Sequence, residues 1–266
     1  MRPRSALTAV VLLLALWGVL LAQKPFKEYP GEEYVPLPPD WNVPHEWVTA
    51  RLMWRSYRGG RMAFGFGGWG TDYPGGDRNL IEGVRRLTRI DVRSVEQAVD
   101  LDGSDDVYNW PFLYAVEVGQ WLLDENEAKQ LRDYLDRGGF LMVDDFHGRY
   151  QWQIFEEGIR AVFPDSPIED LPASDPIFHM LSDVDLNVQI AGEAALMYGR
   201  TYEQGDDPYP RWRGIRDKKG RIVVAICHNM DLGDAWEHSN DPRYPEEMAS
   251  TAHRILVNYA TYDLTH

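Results

Sequence analysis

The sequence contains a single cysteine, Cys227, in 266 residues. One thiol cannot form an intramolecular disulfide, so the fold must be stable without covalent cross-links. Positive charge is also scarce, with 27 Lys and Arg residues against 42 Asp and Glu residues and a formal net charge of −15. No Lys- or Arg-rich run offsets this balance locally, which argues against a nucleic-acid-binding function. The hydrophobic content of 44% suits one globular domain with a substantial core.

The first 22 residues predict export from the cytoplasm. Arg2 and Arg4 precede an almost wholly apolar run, Leu7–Leu21, and Ala22 supplies a small residue at a cleavage point. We therefore expect residues 1–22 to be a signal peptide and the mature protein to be periplasmic or secreted. An uncleaved membrane anchor is the alternative, because the apolar run approaches the roughly 18 residues that span a bilayer. Membrane association would then occur only through this segment.

Repeated prolines without apolar periodicity occupy residues 23–46, which is typical of an extended tether. From residue 47 to 266, strand and helix patterns alternate. Strands are predicted at 47–54, 92–99, 112–118, 139–143, 211–215 and 221–226, and helices at 77–87, 124–138, 152–163 and 246–262. Asp77 is the expected N-cap of the first helix, and Asp124 with Glu127 has the spacing of a capping box. This alternation predicts an α/β fold, a three-layer sandwich around a mostly parallel sheet.

A glycine-rich, aromatic segment follows the first predicted strand, at residues 64–77. Its glycine spacing matches no phosphate-binding motif, and it carries no Walker lysine. Aromatic side chains could instead stack on a sugar or form a lid, so Trp69, Asp72 and Tyr73 are candidate ligand-binding residues. The alternative is a long loop that is ordered only by packing of its aromatic side chains.

Two polar clusters follow apolar strands, where doubly wound sheets form their binding sites. The first is Asp144–Gly148, in which Asp145 and His147 could act as an acid–base pair or as metal ligands. Asp144 and Asp145 should point to opposite faces, so they are not expected to act on one atom. In the alternative, one aspartate caps a loop and the other binds backbone amides.

The second cluster spans Cys227–His238. His228, Asp231 and Glu237 are its candidate catalytic residues, and Trp236 is a candidate for stacking on a ligand. Cys227 ends an apolar strand, so we interpret it as a small buried hydrophobic residue rather than a nucleophile.

Several blocks of sequence resemble the bacterial domain of unknown function 4159 family. The matching blocks are YPGGDRNL at 73–80, WPFLY at 110–114, LRDYLDRGGFLMVDDFHG at 131–148, GRIVVAICHNMDLGDAWE at 220–237 and NYATYDLTH at 258–266. The resemblance covers 47–266 and implies a flavodoxin-like fold similar to class I glutamine amidotransferases, with no established reaction. A more distant likeness links the strands that end at His147 and His228 to the trehalose-utilisation (ThuA-like) proteins.

The departures from the amidotransferases argue against glutamine amide transfer. The nucleophile elbow of those enzymes carries a cysteine, whereas the corresponding strand end here reads Val143-Asp-Asp-Phe-His147. Two functions stay open. The first is an exported domain that binds a small polar or carbohydrate ligand, such as a cell-envelope glycan, or a partner. The second is a hydrolase or isomerase acting on a small polar or carbohydrate substrate, in which His147, His228, Asp145, Asp231 and Glu237 share one cleft, with acid–base or divalent-metal chemistry.

Overall fold

A computed structural model describes residues 24–29, 35–56 and 68–266. The predicted export segment, the rest of the tether and the first part of the glycine-rich segment lie outside these residues. Within them, no helix combines the length and the apolar composition that crossing a membrane requires.

The described residues form a central sheet, a small second sheet and flanking helices. The strands are β1 Thr49–Met53, β2 Arg55–Ser56, β3 Gln97–Asp100, β4 Phe112–Val116, β5 Trp121–Leu122, β6 Phe140–Asp144, β7 Glu169–Asp170, β8 Arg211–Arg216 and β9 Ile222–His228. The helices are α1 Gly75–Leu87, α2 Glu125–Asp136, α3 Gly148–Val162, α4 Glu193–Met197, α5 Leu232–Glu237 and α6 Glu246–Thr265. Strands β4, β6 and β9 are buried along their whole length. Continuous apolar runs form such strands because both faces of a parallel sheet are covered.

The central sheet has the strand order β3-β1-β4-β6-β9-β8-β7. Neighbours from β3 to β9 are parallel, and β8 and β7 extend the sheet in antiparallel pairing. If only the five parallel strands are numbered, in the order in which the chain forms them, their order across the sheet is 2-1-3-4-5. This is the order of flavodoxin-like doubly wound sheets. The sheet therefore opens a crevice at the carboxyl ends of its central strands.

Two separate cores lie on the two faces of this sheet. Phe112, Tyr114 and Phe140 belong to the core under α1, α5 and α6, whereas Leu113 and Leu141 belong to the core under α2 and α3. This division follows from the pleat, which turns successive side chains to opposite faces. The expected three-layer α/β sandwich is confirmed.

Local sequence signals agree with the structure at several element ends. Asp124 accepts hydrogen bonds from the backbone of Asn126 and Glu127, and the Glu127 side chain accepts from the Asp124 backbone, completing the predicted capping box. Gly138 follows α2 at a φ of 117°, a conformation that glycine adopts without a Cβ clash. Cys227 is fully buried at the end of β9, and burial raises the pKa of its thiol, so the thiol stays protonated as expected.

The predicted start of α1 was wrong. The helix begins at Gly75, with Pro74 at the N-cap position and no side-chain cap. Asp77 lies inside the first turn, where its carboxylate forms a fully buried ion pair with Arg51 of β1. The buried guanidinium supplies the partner that a carboxylate in the core requires, because an unpaired buried charge is costly.

The described part of the tether lies against the domain. Arg78 of α1 donates hydrogen bonds to the carbonyls of Val35 and Pro36, at 3.0 and 2.9 Å. Arg85 of the same helix forms an ion pair with Asp40 at 2.7 Å. The chain is therefore anchored to α1 before it enters the sheet.

Glu96 is a buried carboxylate directly before β3, at the amino end of that strand. Its Oε2 lies 3.3 Å from Arg78 Nε, and the residue has no exposed surface. Burial raises the pKa of Glu96 to about 7, although Arg78 opposes this shift. The folded state therefore binds a proton more tightly than the unfolded chain does.

This shift predicts a specific pH dependence of stability. The contribution of Glu96 is greatest below the ordinary glutamate pKa and is lost as the pH rises towards 7. Because of Glu96, the unfolding free energy of the unaltered protein should fall by on the order of 3 kcal/mol as the pH rises from the ordinary glutamate pKa to about 7, at about 1.4 kcal/mol per pKa unit. Glu96→Gln should remove this part of the fall. Urea denaturation at several pH values measures it. Glu157→Gln, at an exposed position, is the control, and equal pH profiles for both variants would contradict the assignment.

Candidate functional site

Acidic side chains and one histidine converge at the carboxyl ends of the central parallel strands. Glu117 follows β4, Asp145 and His147 follow β6, and Asp231 follows β9. Asp72, from the segment before α1, joins them. The three segments that follow β4, β6 and β9 meet here because neighbouring parallel strands end at the same edge of a sheet, and the segment of Asp72 is the fourth.

Backbone strain is concentrated at the same edge. Among the described residues, the non-glycine residues with positive φ are Asp72, Glu117, Asp145 and Asn229, with φ values of 61°, 53°, 54° and 62°. This left-handed conformation costs side-chain-bearing residues on the order of 1 kcal/mol each, and it is enriched at functional sites. The conformation of Asn229 is held by its side chain, whose Oδ1 accepts a hydrogen bond from the Gly148 backbone at 2.8 Å.

Asp145, His147 and Glu203 form the first group of side chains. His147 Nε2 lies 3.0 Å from Asp145 Oδ1 and 3.7 Å from Glu203 Oε1. One possible ligand atom from each residue lies within 4.8 Å of the other two. Burial, with a smaller contribution from nearby His228, lowers the pKa of His147 to about 3, so its imidazole is neutral at physiological pH. A neutral imidazole between carboxylates is a suitable metal ligand.

Asp72, Asp145 and Asp231 form the second group, again with one oxygen from each within 4.8 Å of the others. Burial is the largest cause that raises the pKa of all three carboxyls well above the ordinary value. Neighbouring carboxyls raise it further: Asp234 for Asp72, Glu117 and Asp72 for Asp145, and Asp145 and Asp234 for Asp231. Three carboxylates at this separation repel each other strongly unless protons or a cation lie between them.

The absence of a side chain at Gly192 leaves room for the acidic side chains beside it. A Cβ atom at this position would lie 2.5 Å from Asp231 Oδ2, 2.8 Å from Glu203 Oε1 and 3.2 Å from Asp234 Oδ2. The backbone of Gly192 is extended, with φ −63° and ψ 151°, so it does not require glycine for conformational reasons. Glycine therefore suits position 192 because a side chain there would have no room beside the acidic groups.

Asp144, the neighbour of Asp145, has a structural role. Its Oδ2 accepts hydrogen bonds from the backbone of Leu232 at 2.6 Å and Gly233 at 3.2 Å, and from the Tyr114 hydroxyl at 3.2 Å. Burial raises its pKa to about 7. As expected from strand alternation, the two adjacent aspartates act on different atoms, and Asp144 ties β6 to the start of α5.

His228 lies close to His147 but is bound elsewhere. Its Nε2 donates to the Gly148 carbonyl at 3.1 Å, and its ring packs 4.9 Å from Phe146 and 5.0 Å from Trp152. Burial lowers its pKa to about 4, so it is neutral. Among the described residues, His228 joins neither group of carboxylates, and this geometry favours the structural alternative for it.

Glu237 belongs to a separate, more exposed group. It lies with Asp234 and His238, one ligand atom of each within 4.8 Å of the others, and its side chain is 38% exposed. Asp234 is also near the carboxylates at the strand ends, since its Oδ2 and Asp231 Oδ2 would lie 3.2 and 2.5 Å from a Cβ atom at Gly192. The structure thus unites Asp145, His147, Asp231 and Asp72 but leaves Glu237 at their margin.

The aromatic candidates are mostly core residues. Trp236 is fully buried, with its ring 5.2 Å from Tyr114, and Trp69 is 3% exposed and packs against Tyr73. Buried rings leave no free face for a sugar, so the expectation that Trp69 and Trp236 stack on a ligand is corrected. Tyr73 is partly buried in the same packing.

Sequence reasoning missed Glu203 and Glu117. Glu203 is 33% exposed at the solvent edge of the site, and burial together with Glu117 raises its pKa to about 7. It lies in a polar stretch without periodicity, so no local signal marks it. Glu117 directly follows β4, and the rule applied to Asp145 and Asp231 would have found it.

Comparison with known protein families identifies the relatives of this chain. The family model described as Domain of unknown function (DUF4159) matches residues 60–264. The chain belongs to the DUF4159 family. A comparison with curated proteins gives no match. The expected family membership is thus confirmed, whereas the likeness to glutamine amidotransferases and ThuA-like proteins stays a prediction.

Arg51 positions the acidic segment of this DUF4159 domain. Its guanidinium is fully buried and pairs with Asp77 of α1. It also donates to the carbonyls of Trp69 at 3.2 Å and Thr71 at 3.0 Å, and it lies 4.5 Å from the centre of the Tyr114 ring. These bonds fix the chain directly before Asp72, so the position of that carboxylate depends on the ion pair.

Removing Arg51 should therefore destabilise the DUF4159 domain strongly. Arg51→Met leaves Asp77 buried without its partner, and we expect a loss of about 3–5 kcal/mol in unfolding free energy. The double variant Arg51→Met/Asp77→Leu should recover most of this loss, because no unpaired charge is left. Urea denaturation of the three proteins tests both statements. Equal stabilities of the single and double variants would show that the ion pair is not what holds this region.

Proposed function

We propose that this domain binds a divalent cation between Asp72, Asp145 and Asp231, and that the cation holds a small polar or carbohydrate ligand. The supporting observation is the approach of three carboxylates to within 4.8 Å, those of Asp145 and Asp231 buried and that of Asp72 partly buried, all with raised pKa values. A cation would replace the protons that otherwise offset their repulsion. Carboxylate oxygens are the ligands that Mg²⁺, Mn²⁺ and Ca²⁺ prefer.

The edge of the site supports a polar ligand. Glu203 reaches solvent there, and in the sequence on either side of it Tyr198 and Tyr209 are 77% and 68% exposed. Exposed tyrosine rings next to hydrogen-bonding groups favour sugars, which present both apolar faces and hydroxyls. A cell-envelope glycan belongs to this class of ligand.

Export agrees with an envelope ligand, and it rests on the sequence of residues 1–22. We expect the mature protein to begin near Gln23 and to be recovered from the periplasm or the medium. Intact-mass analysis of the natively expressed protein tests this. A mass that includes residues 1–22, found in the membrane fraction, would favour an anchor instead.

Hydrolysis is the second candidate function, and the exposure of Glu203 favours it. A cation in the buried cluster would be open to water and substrate on this side, and metal-bound water is a nucleophile near neutral pH. The neutral His147 beside the cluster can bind the cation or a substrate hydroxyl. Hydrolysis of chromogenic glycosides and sugar esters with Mn²⁺, abolished by chelator, would support this candidate. Carbohydrate binding without turnover would contradict hydrolysis and support only the binding function.

Gly192→Ala offers a clean test of the cation site. The extended backbone accepts alanine, but the new methyl group would overlap Asp231 Oδ2 and Glu203 Oε1 and push both side chains away. We expect the affinity for Mn²⁺, measured by isothermal titration calorimetry, to fall at least about tenfold, which is about 1.4 kcal/mol.

Gly205→Ala is the matched control, because the nearest atom to its Cβ would be Tyr202 Cε2 at 3.9 Å. It should bind Mn²⁺ like the unaltered protein. Thermal melting should show that both variants are folded. Absence of Mn²⁺ binding by the unaltered protein, purified without chelator, would overturn the proposed function.

A further inference from the structure

Asp145 belongs to both groups of side chains at the site. Its carboxylate lies within 4.8 Å of the ligand atoms of His147 and Glu203, and within the same distance of Asp72 and Asp231. A carboxylate has two oxygens and can bind two cations at once. We infer that the site holds a pair of divalent cations bridged by Asp145. This inference rests on the proposed cation binding and extends it.

The two ligand sets are chemically different. Asp72, Asp145 and Asp231 offer only oxygen, which suits a hard cation such as Mg²⁺, Mn²⁺ or Ca²⁺. The other set adds an imidazole nitrogen between two carboxylates, and this mixture suits Mn²⁺ or Zn²⁺. Mn²⁺ is therefore the cation that both sets accept.

An unpaired polar atom gives a second observation, independent of the carboxylate distances. Within the described part of the chain, Asp72 Oδ2 is a buried atom and has no hydrogen-bond partner. Buried polar atoms are nearly always bonded, so this oxygen indicates a partner that the chain itself does not supply.

Charge and space agree with two cations. Asp72, Asp145, Asp231 and Glu203 together carry four negative charges when ionised, and an imidazole that binds a cation is neutral, so two divalent cations balance the set. The glycine at position 192 lets Asp231 of one set and Glu203 of the other approach the same point. The two sets are thus joined at this point as well as at Asp145.

A two-cation site also defines what the ligand must present. Paired cations in proteins lie about 3.5–4 Å apart and hold one ligand oxygen from both sides. A hydroxyl or oxyanion of the ligand would occupy that place, at the edge where Glu203 meets solvent.

The test is the stoichiometry and magnetic coupling of bound Mn²⁺ in the full-length protein. Equilibrium dialysis should give two Mn²⁺ per chain, and electron paramagnetic resonance should show the signal of a spin-coupled pair. Asp72→Asn and Glu203→Gln should each leave one Mn²⁺ with the spectrum of isolated ions. Asp145→Asn should lower binding at both positions and abolish the coupling.

Asp144→Asn is the matched control. Its carboxylate is adjacent in sequence and equally buried, but it binds the backbone of α5. The amide oxygen of asparagine can still accept those bonds, so we expect two coupled Mn²⁺ even if stability falls. One uncoupled Mn²⁺ per unaltered chain would overturn the pair and leave the proposed function intact. No bound Mn²⁺ would overturn both. The unaltered protein decides these outcomes even if a variant fails to fold.

Discussion

The buried guanidinium of Arg51 is the interaction on which the arrangement of the site depends. It joins β1 to Asp77 of α1 and to the carbonyls of Trp69 and Thr71, so that one side chain fixes a strand, a helix start and a loop. It is also a cationic group that lowers the pKa of Asp72, against burial and the charge of Asp234. The pKa of Asp72 nevertheless stays well above its ordinary value, and at Asp145 and Asp231 burial and the neighbouring carboxyls all act to raise the pKa.

The cost of burying these carboxyl groups links stability to function. Buried carboxylates of like charge destabilise a fold, and the same groups become ligands once a cation binds. The left-handed conformations of Asp72 and Asp145 turn two of these side chains towards each other at a further cost in backbone strain. A fold that only needed to be stable would avoid both costs. Their coincidence at one sheet edge is therefore the strongest physical reason for assigning a function to this edge.

Much of the fold could be predicted from local patterns. The continuous apolar run that forms β6, the capping box at Asp124 and the hairpin of β8 and β9 all depend on neighbours in sequence. The start of α1 could not be predicted in this way, because the partner of Asp77 is Arg51, in a different strand. Stacking by Trp69 and Trp236 failed for a similar reason, since an aromatic residue in a polar segment can be a core residue when the chain folds back over it.

The candidate site likewise has one part that the sequence predicts and another that only the tertiary structure reveals. The sequence was sufficient to indicate that Asp145, His147 and Asp231 follow strands. It also indicated that they lie near one another, because the carboxyl ends of parallel strands lie at one edge of the sheet. Only the tertiary structure decided that His228 bonds to Gly148, that Glu237 lies at the margin and that Glu203 enters the group. Strand periodicity determines which face a side chain takes, whereas distances between side chains on separate loops depend on how those loops pack. Glu203 has no pattern around it, and its place follows from contacts with residues far away in the sequence.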